Sequence, residues 1–349
     1  MKKKQIIIFS SLVVVALITI LVWTLWPKSD RKNQISNIEL KQKQKDIEIS
    51  ILRYDQDVFQ IDLNNSSQDV LKLSQKYPPY LIDEKICTNP EMLEMLKRYL
   101  SDPVIIDIYN QVQKLFPNFN QFEPELLQAL SYYLVYFPDE KIPQMITIIP
   151  GIDLQMPSIY IYDNIIYINL DMYLGSLCSH YNKLGVPKYI SERYDQNYLL
   201  VDLFKKAFVY KHLPEQEPIT LLEHMIVEGK KLYFTEMMLP KTKQEDIIGY
   251  SIEKFKWAET FYPNVWGYLV ENNLLFSKEK DPVRKYIEEA PFSKPFGNQS
   301  PGRIGQFLGW KIVKAYMSNN PDVTLENLMK TTDLQLILNK SAFKPVIKK

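Results

Sequence analysis

Between Lys141 and Gly175 the chain changes period. The stretch "KIPQMITIIPGIDLQMPSIYIYDNIIYINLDMYLG" is dense in Ile and Tyr. Within it QMITIIPG, SIYIY and IIYINLD each read as a short strand, and Asp163-Asn164 supplies turn chemistry between the last two. On either side the apolar spacing is helical. Upstream, "NPEMLEMLKRYLSDP" sets Pro90 at a first helical position and stops before Pro103, "SDPVIIDIYNQVQKLFP" opens on a Ser/Asp cap, and "FEPELLQALSYYLVYFP" ends before Pro138. Downstream, helices are expected over Tyr198–His212, Leu221–Leu239, Ser251–Glu259, Pro263–Asn272 and Pro301–Asn319. Helices, a small mixed sheet, then helices again define an α+β class, mainly helical, in one continuous domain over 47–349. A further strand is expected where Ile47, Ile49 and Ile51 alternate with polar residues.

The N-terminus reads differently. Three lysines precede an uncharged run, and Ile6 to Trp26 spans 21 residues, enough to cross a hydrocarbon core of roughly 30 Å as a helix. Trp23 and Trp26 sit at its far end, where indoles favour the interface. A cleaved signal peptide has an apolar region of about 7–15 residues and a small-x-small site, and here the run is longer and ends in Trp-Pro. An uncleaved transmembrane anchor over 1–26 is the expectation, followed by a polar linker over 27–46. Lys2, Lys3 and Lys4 before the span and Lys28, Arg31 and Lys32 after it leave little charge bias. The body is expected outside the cytoplasmic membrane, in the periplasm.

Charge excludes one class of partner. The chain carries 42 Lys and Arg against 41 Asp and Glu, a net charge of +1, and no basic, aromatic-interleaved stripe, so nucleic acid is not an expected partner. Glycine is scarce, at 10 residues, and neither GxGxxG nor GxxxxGK[ST] occurs. Cys87 and Cys178 show no CxxC spacing and leave two readings open, one disulfide or two buried thiols.

Half of the glycines follow Gly249, and Gly302, Gly305 and Gly309 recur at three and four residues, on one face of the helix expected there. Each helical glycine costs about 1 kcal/mol relative to Ala, so their recurrence points to a second backbone packed close against that face. Trp310, Ile312, Val313 and Tyr316 supply apolar contact beside it. Arg303 is placed in the first turn as an ion-pair donor or partner contact.

The chemistry-bearing residues are few. His224 and Glu228, in "LLEHMIVEGKKLYF", lie one turn apart on one helical face and form half of a metal site. HExxH is absent, and His180, His212 and His224 form no pair at i, i+4. There is no GxSxG elbow. Cys178 and His180, two residues apart, are too close in sequence for a ready nucleophile–base pair. Glu288-Glu289 and Asp139-Glu140 read as solvated caps. No catalytic residue, metal or cofactor is expected.

Taken in order, "LRYDQDVFQIDL", "YPPYL", "YLVYFPDEKIP", "DMYLGS", "MIVEGKKLYFTEMMLP", "IGYSIEKFKWAE", "VWGYLVENNLLFS", "YIEEAPFSKPFGNQSPGRIGQFLGWKIVKAYM" and "ILNKSAFKP" resemble the gliding-motility lipoprotein GldB family of Bacteroidetes-type bacteria, from about Ile47 to Pro345. The resemblance implies an envelope protein linked to gliding and to the type IX secretion apparatus. Family members carry a lipobox cysteine after a short signal, and this chain departs from that pattern. The family in turn looks distantly like zincin-type metallopeptidases, in which an HExxH helix precedes a helix bearing the third ligand. "EGKKLYF" at Glu228 is similar to that second helix, while "YLLVDLFKKAFVYKHLP" stands where HExxH would be. By this resemblance Glu228 is a vestigial ligand and the domain a pseudo-metallopeptidase used for binding, with other gliding or secretion proteins as partners. Two alternatives remain: an active zinc metallopeptidase with an atypical site at His224 and Glu228, and a membrane-tethered module for peptide or glycan.

Overall fold

The computed structural model describes Ile35 and residues 37–346. The expected anchor, 1–26, lies outside the described residues. Among those described, no helix is long and apolar enough to cross a membrane. Helix α1 (Asn37–Gln44) occupies much of the stretch read as a linker. The reason is Leu40, an apolar residue among lysines and glutamines, which is buried as α1 packs on α5 (Glu123–Tyr136).

The sheet has four strands: β1 (Ile51–Arg53), β2 (Gln144–Ile148), β3 (Ile159–Tyr162) and β4 (Ile165–Asn169). Their order is β1-β2-β4-β3, with β1 and β2 parallel, β2 and β4 parallel, and β3 antiparallel to β4. Asp163 and Asn164 take φ of +49° and +58°, the left-handed pair that a two-residue hairpin needs to match strand twist. Ile47 and Ile49 pack on the core but fall short of the ladder, so β1 is shorter than the alternation predicts.

Strand alternation divides the core. Met145, Ile166 and Ile168 face the large helical cluster, while Ile146, Ile148 and Tyr167 face a smaller one with Val70 of α2 (Ser66–Lys76) and Leu100 of α3 (Pro90–Ser101). Asn89 and Asp102 cap α3 and α4 (Pro103–Leu115), each beside a proline at the first helical position. A buried polar knot fixes the first strand. Arg53 Nε and Nη2 donate to the two oxygens of Asp55 at 2.9 and 2.8 Å, Nη2 also donates to the Phe116 carbonyl at 2.8 Å, and the Gln113 amide and Thr147 hydroxyl donate to Asp55. Asp55 is fully buried, and these donors satisfy it.

The second half is helical: α6 (Leu199–Lys206), α7 (Leu221–Met238), α8 (Ile252–Glu271), α9 (Ile304–Asn319), α10 (Leu325–Lys330) and α11 (Leu334–Ser341). The two helices expected on either side of Pro263 are one. Pro263 sits inside α8, where buried Ala258, Val265 and Leu269 hold the helix across the missing N–H. A capping box of Thr220 and Glu223 starts α7. Helix α9 starts later than expected. Gly302 precedes it, and Arg303 forms its N-cap at φ +54° rather than its first turn. The glycines do mark close backbone approach. A Cβ at Gly309 would lie 1.6 Å from the Met225 carbonyl oxygen of α7, and one at Gly302 would lie 1.9 Å from that of Ala290. The α7–α9 crossing holds the centre of the helical half, and α6 packs on α7 beside it.

Candidate functional site

A cleft of about 450 Å³ opens where α6, α7, the N-terminus of α9, Glu289 and the 154–158 loop converge. Helix α6 supplies Asp202, Lys205 and Lys206, three charged residues in an otherwise apolar segment. Helix α7 supplies Glu228 and Lys231, and the start of α9 supplies Arg303 and Gln306.

Asp202 is a polar node at one wall. Its carboxylate accepts from Lys206 Nζ at 2.7 Å and from the Tyr173 hydroxyl at 2.9 Å, and Lys206 also donates to Ser158 Oγ at 2.8 Å. Burial opposes the Asp202 charge, but Lys206 and Arg193 outweigh it and hold the carboxyl below its usual range. Opposite, Glu289 bridges two guanidinium groups, pairing with Arg193 and, at 3.0 Å, with Arg303 Nε. Here too burial is outweighed, by Arg303 and Arg193, and the Glu289 carboxyl is held low. Arg303 Nη1 and Nη2 donate to the carbonyls of Ile248 and Gly249 at 2.9 and 3.1 Å, so it also clasps the turn before α8.

Glu228 stands between this cleft and a second one of about 390 Å³, lined by His224, Glu215, Glu217 and Glu223. Glu228, Lys231 and Tyr210 line both. Lys231 Nζ donates to Glu228 at 2.7 Å and to the Tyr210 hydroxyl at 3.3 Å. Burial alone would lower Lys231, but Glu228 and Tyr210 raise it above its usual value. His224 is half-buried, burial lowers its pKa, and its ring makes no hydrogen bond or ion pair among the described residues. No group of three His, Cys, Asp or Glu side chains able to hold a metal ion converges among the described residues. Cys178 Sγ faces Gln111, and His180 Nε2 lies 2.7 Å from Asp107, so those two do not form a pair. Cys87 and Cys178 are free thiols.

The structure therefore brings Glu228 and Arg303 to one cleft and leaves His224 on the far side of the Glu228–Lys231 pair. Gly305 and Gly309 lie at the crossing behind it. Sequence reasoning missed Arg193, Asp202, Lys205, Gln306 and Glu289, the last read as part of a solvated cap. A signal was present on α6, where "LLVDLFKK" interrupts an apolar run with charges at i, i+3 and i+4. Spaced that way, they share the face toward the cleft.

A mainly helical α+β domain with a polar cleft between its helices is the class that fold and site define. The chain belongs to the family described as gliding motility protein GldB, whose model matches residues 31–345. That membership gives it a role related to gliding motility, and the family's lipoprotein designation points to attachment at the cell envelope. No curated protein and no solved structure matches it.

Proposed function

We propose that this protein is a non-enzymatic component of the gliding-motility and type IX secretion machinery, tethered to the membrane, whose degenerate zincin-like domain works as a binding module. The observation that supports this reading is the state of Glu228. In a metallopeptidase the equivalent carboxylate would point at a metal shared with a preceding helix. Here it is held by Lys231 at 2.7 Å, and the preceding helix presents Asp202, Lys205 and Lys206. Lys205, Lys206 and Lys231 bring ammonium groups to the cleft that Glu228 lines, whereas the side chains that ligate zinc are neutral imidazole, thiolate or carboxylate. A cleft of a few hundred Å³ with convergent polar groups suits ligand binding. The partners under this reading are other envelope proteins of the same machinery.

Two measurements test it. Metal analysis of the purified full-length chain is expected to find no stoichiometric zinc. Zinc at one per chain, lost on His224→Ala, overturns the non-enzymatic reading in favour of an atypical metallopeptidase. Deletion of the gene is expected to abolish colony spreading and secretion of surface motility proteins. Unchanged spreading and secretion removes the machinery assignment.

A further inference from the structure

Among the side chains lining the first cleft, five are basic and three acidic, a surplus of two positive charges when all are ionised. All three acids are already engaged: Asp202 with Lys206, Glu228 with Lys231, and Glu289 with both arginines. Lys205 has no hydrogen bond or ion pair among the described residues, although it is only 8% exposed. Arg193 Nε is buried without a partner, and so is Gln306 Oε1. The Gln306 amide orientation is set, because its Nε2 donates to the Ile287 carbonyl at 2.8 Å. An unsatisfied buried polar group costs about 1–3 kcal/mol, more when charged, and Arg193, Lys205 and Gln306 all line this one cleft.

We propose that this cleft binds a phosphate dianion carried as a monoester of a hydroxylated alcohol, with Lys205 and Arg193 donating to the phosphate oxygens and Gln306 Oε1 accepting from an adjacent hydroxyl. The charge surplus matches a dianion rather than a single carboxylate. A guanidinium beside an ammonium is the donor set that recognises phosphate. The acceptor Oε1 calls for a donor on the ligand beside the phosphate oxygens: hydrogen phosphate has only its single P–OH, whereas a polyol phosphate carries alcohol hydroxyls further from the phosphorus. The volume of about 450 Å³ exceeds what inorganic phosphate fills. Without the anion, burial and the neighbouring Arg303 and Arg193 push Lys205 down to about 7, and a bound dianion restores its charge.

This inference rests on the cleft being a binding site and not on the motility role. The test is calorimetric titration of the detergent-solubilised full-length chain with glycerol 3-phosphate, inorganic phosphate and acetate. Saturable binding of glycerol 3-phosphate is expected, tighter than inorganic phosphate, with acetate at least about tenfold weaker. Lys205→Met is expected to weaken glycerol 3-phosphate about tenfold or more, by loss of one charge-assisted hydrogen bond. It removes an unpaired buried ammonium, so its thermal melt should be no lower than that of the parent chain. Gln306→Leu is expected to narrow the gap between glycerol 3-phosphate and inorganic phosphate. Absent saturable binding, parity with acetate, or unchanged affinity in Lys205→Met each overturns the site. Inorganic phosphate binding as tightly as the ester overturns the hydroxylated part. If these fail while colony spreading still requires the gene, the proposed function stands and only the ligand falls.

Discussion

Gly229 and Gly309 meet through their backbones. A Cβ at Gly229 would fall 2.3 Å from the carbonyl carbon and oxygen of Gly309 and 2.7 Å from the Trp310 nitrogen. Helices α7 and α9 therefore cross with no side chain between them, which sets Glu228 on α7 and Gln306 on α9 at one cleft. Gly309→Ala puts a methyl group against the Met225 carbonyl, and neither backbone can yield without moving a helix. Despite the helix propensity gained, a net loss of about 3 kcal/mol is expected. Gly229→Ala should cost a similar amount. The double variant should lose less than the sum, because both methyl groups force the same separation. Urea melts of the three variants measure this, and full additivity would contradict the shared contact.

Two buried groups are expected to tilt stability with pH in opposite directions. Asp171 accepts from the Gly151 and Ile152 amides at 2.7 and 2.8 Å, yet burial raises it to about 6 from an ordinary 3.8. Between those values the folded chain holds a proton that the unfolded chain has released, so rising pH destabilises. His212 stacks on Phe137 at 3.9 Å, and burial lowers it to about 4 from an ordinary 6.5. There the unfolded chain holds the extra proton, so rising pH stabilises. Each contribution is on the order of 3 kcal/mol when fully developed. The stability of Asp171→Asn minus that of the parent should thus rise from pH 4 to 6. The same difference for His212→Phe should fall from pH 4 to 6.5. Matching slopes in the two difference curves would contradict the assignment.

Glu289 is the shared counter-ion of Arg193 and Arg303. Its side chain is 43% exposed, whereas that of Arg303 is only 5% exposed, so its neutralisation strands a buried guanidinium. Glu289→Gln is expected to cost about 2 kcal/mol, below the full penalty of a broken buried pair because solvent reaches the carboxylate. Arg303 holds the Ile248 and Gly249 carbonyls, so amide exchange should quicken in the turn before α8 ahead of global unfolding. Uniform loss of protection across the chain would argue against a local clasp.

What the sequence makes legible is local. The strand alternation around Ile166–Ile168, the left-handed turn at Asp163-Asn164 and the backbone contact at Gly309 each follow from a local preference: β-branched and aromatic alternation, Asp/Asn tolerance of positive φ, and glycine where a helix would otherwise favour a side chain. Pro263 is misread because the proline rule is local, while the burial of Ala258 and Val265 that overrides it is tertiary. The cleft is harder still. Glu289 reaches Arg193 across 96 residues, and only the fold turns a capping acid into a counter-ion. Lys205 is visible as an ammonium in an apolar helix, but its lack of a partner is a property of everything around it.

The relation between His224 and Glu228 can be measured directly. Helical spacing puts them on one face, but Glu228 is committed to Lys231, with side-chain exposures of 18% and 13%. A half-buried pair of this kind couples by about 1 kcal/mol. A double-mutant cycle of Glu228→Gln with Lys231→Met should therefore show an interaction of about that size. The cycle of Glu228→Gln with His224→Ala should be additive within about 0.5 kcal/mol, and His224→Ala alone should change stability by no more than about 0.5 kcal/mol. Denaturant melts at pH 7.5 serve for both cycles. A coupling larger for His224 than for Lys231 would mean that the two residues share an occupant, as a metal site requires, and that the ion pair with Lys231 is incidental.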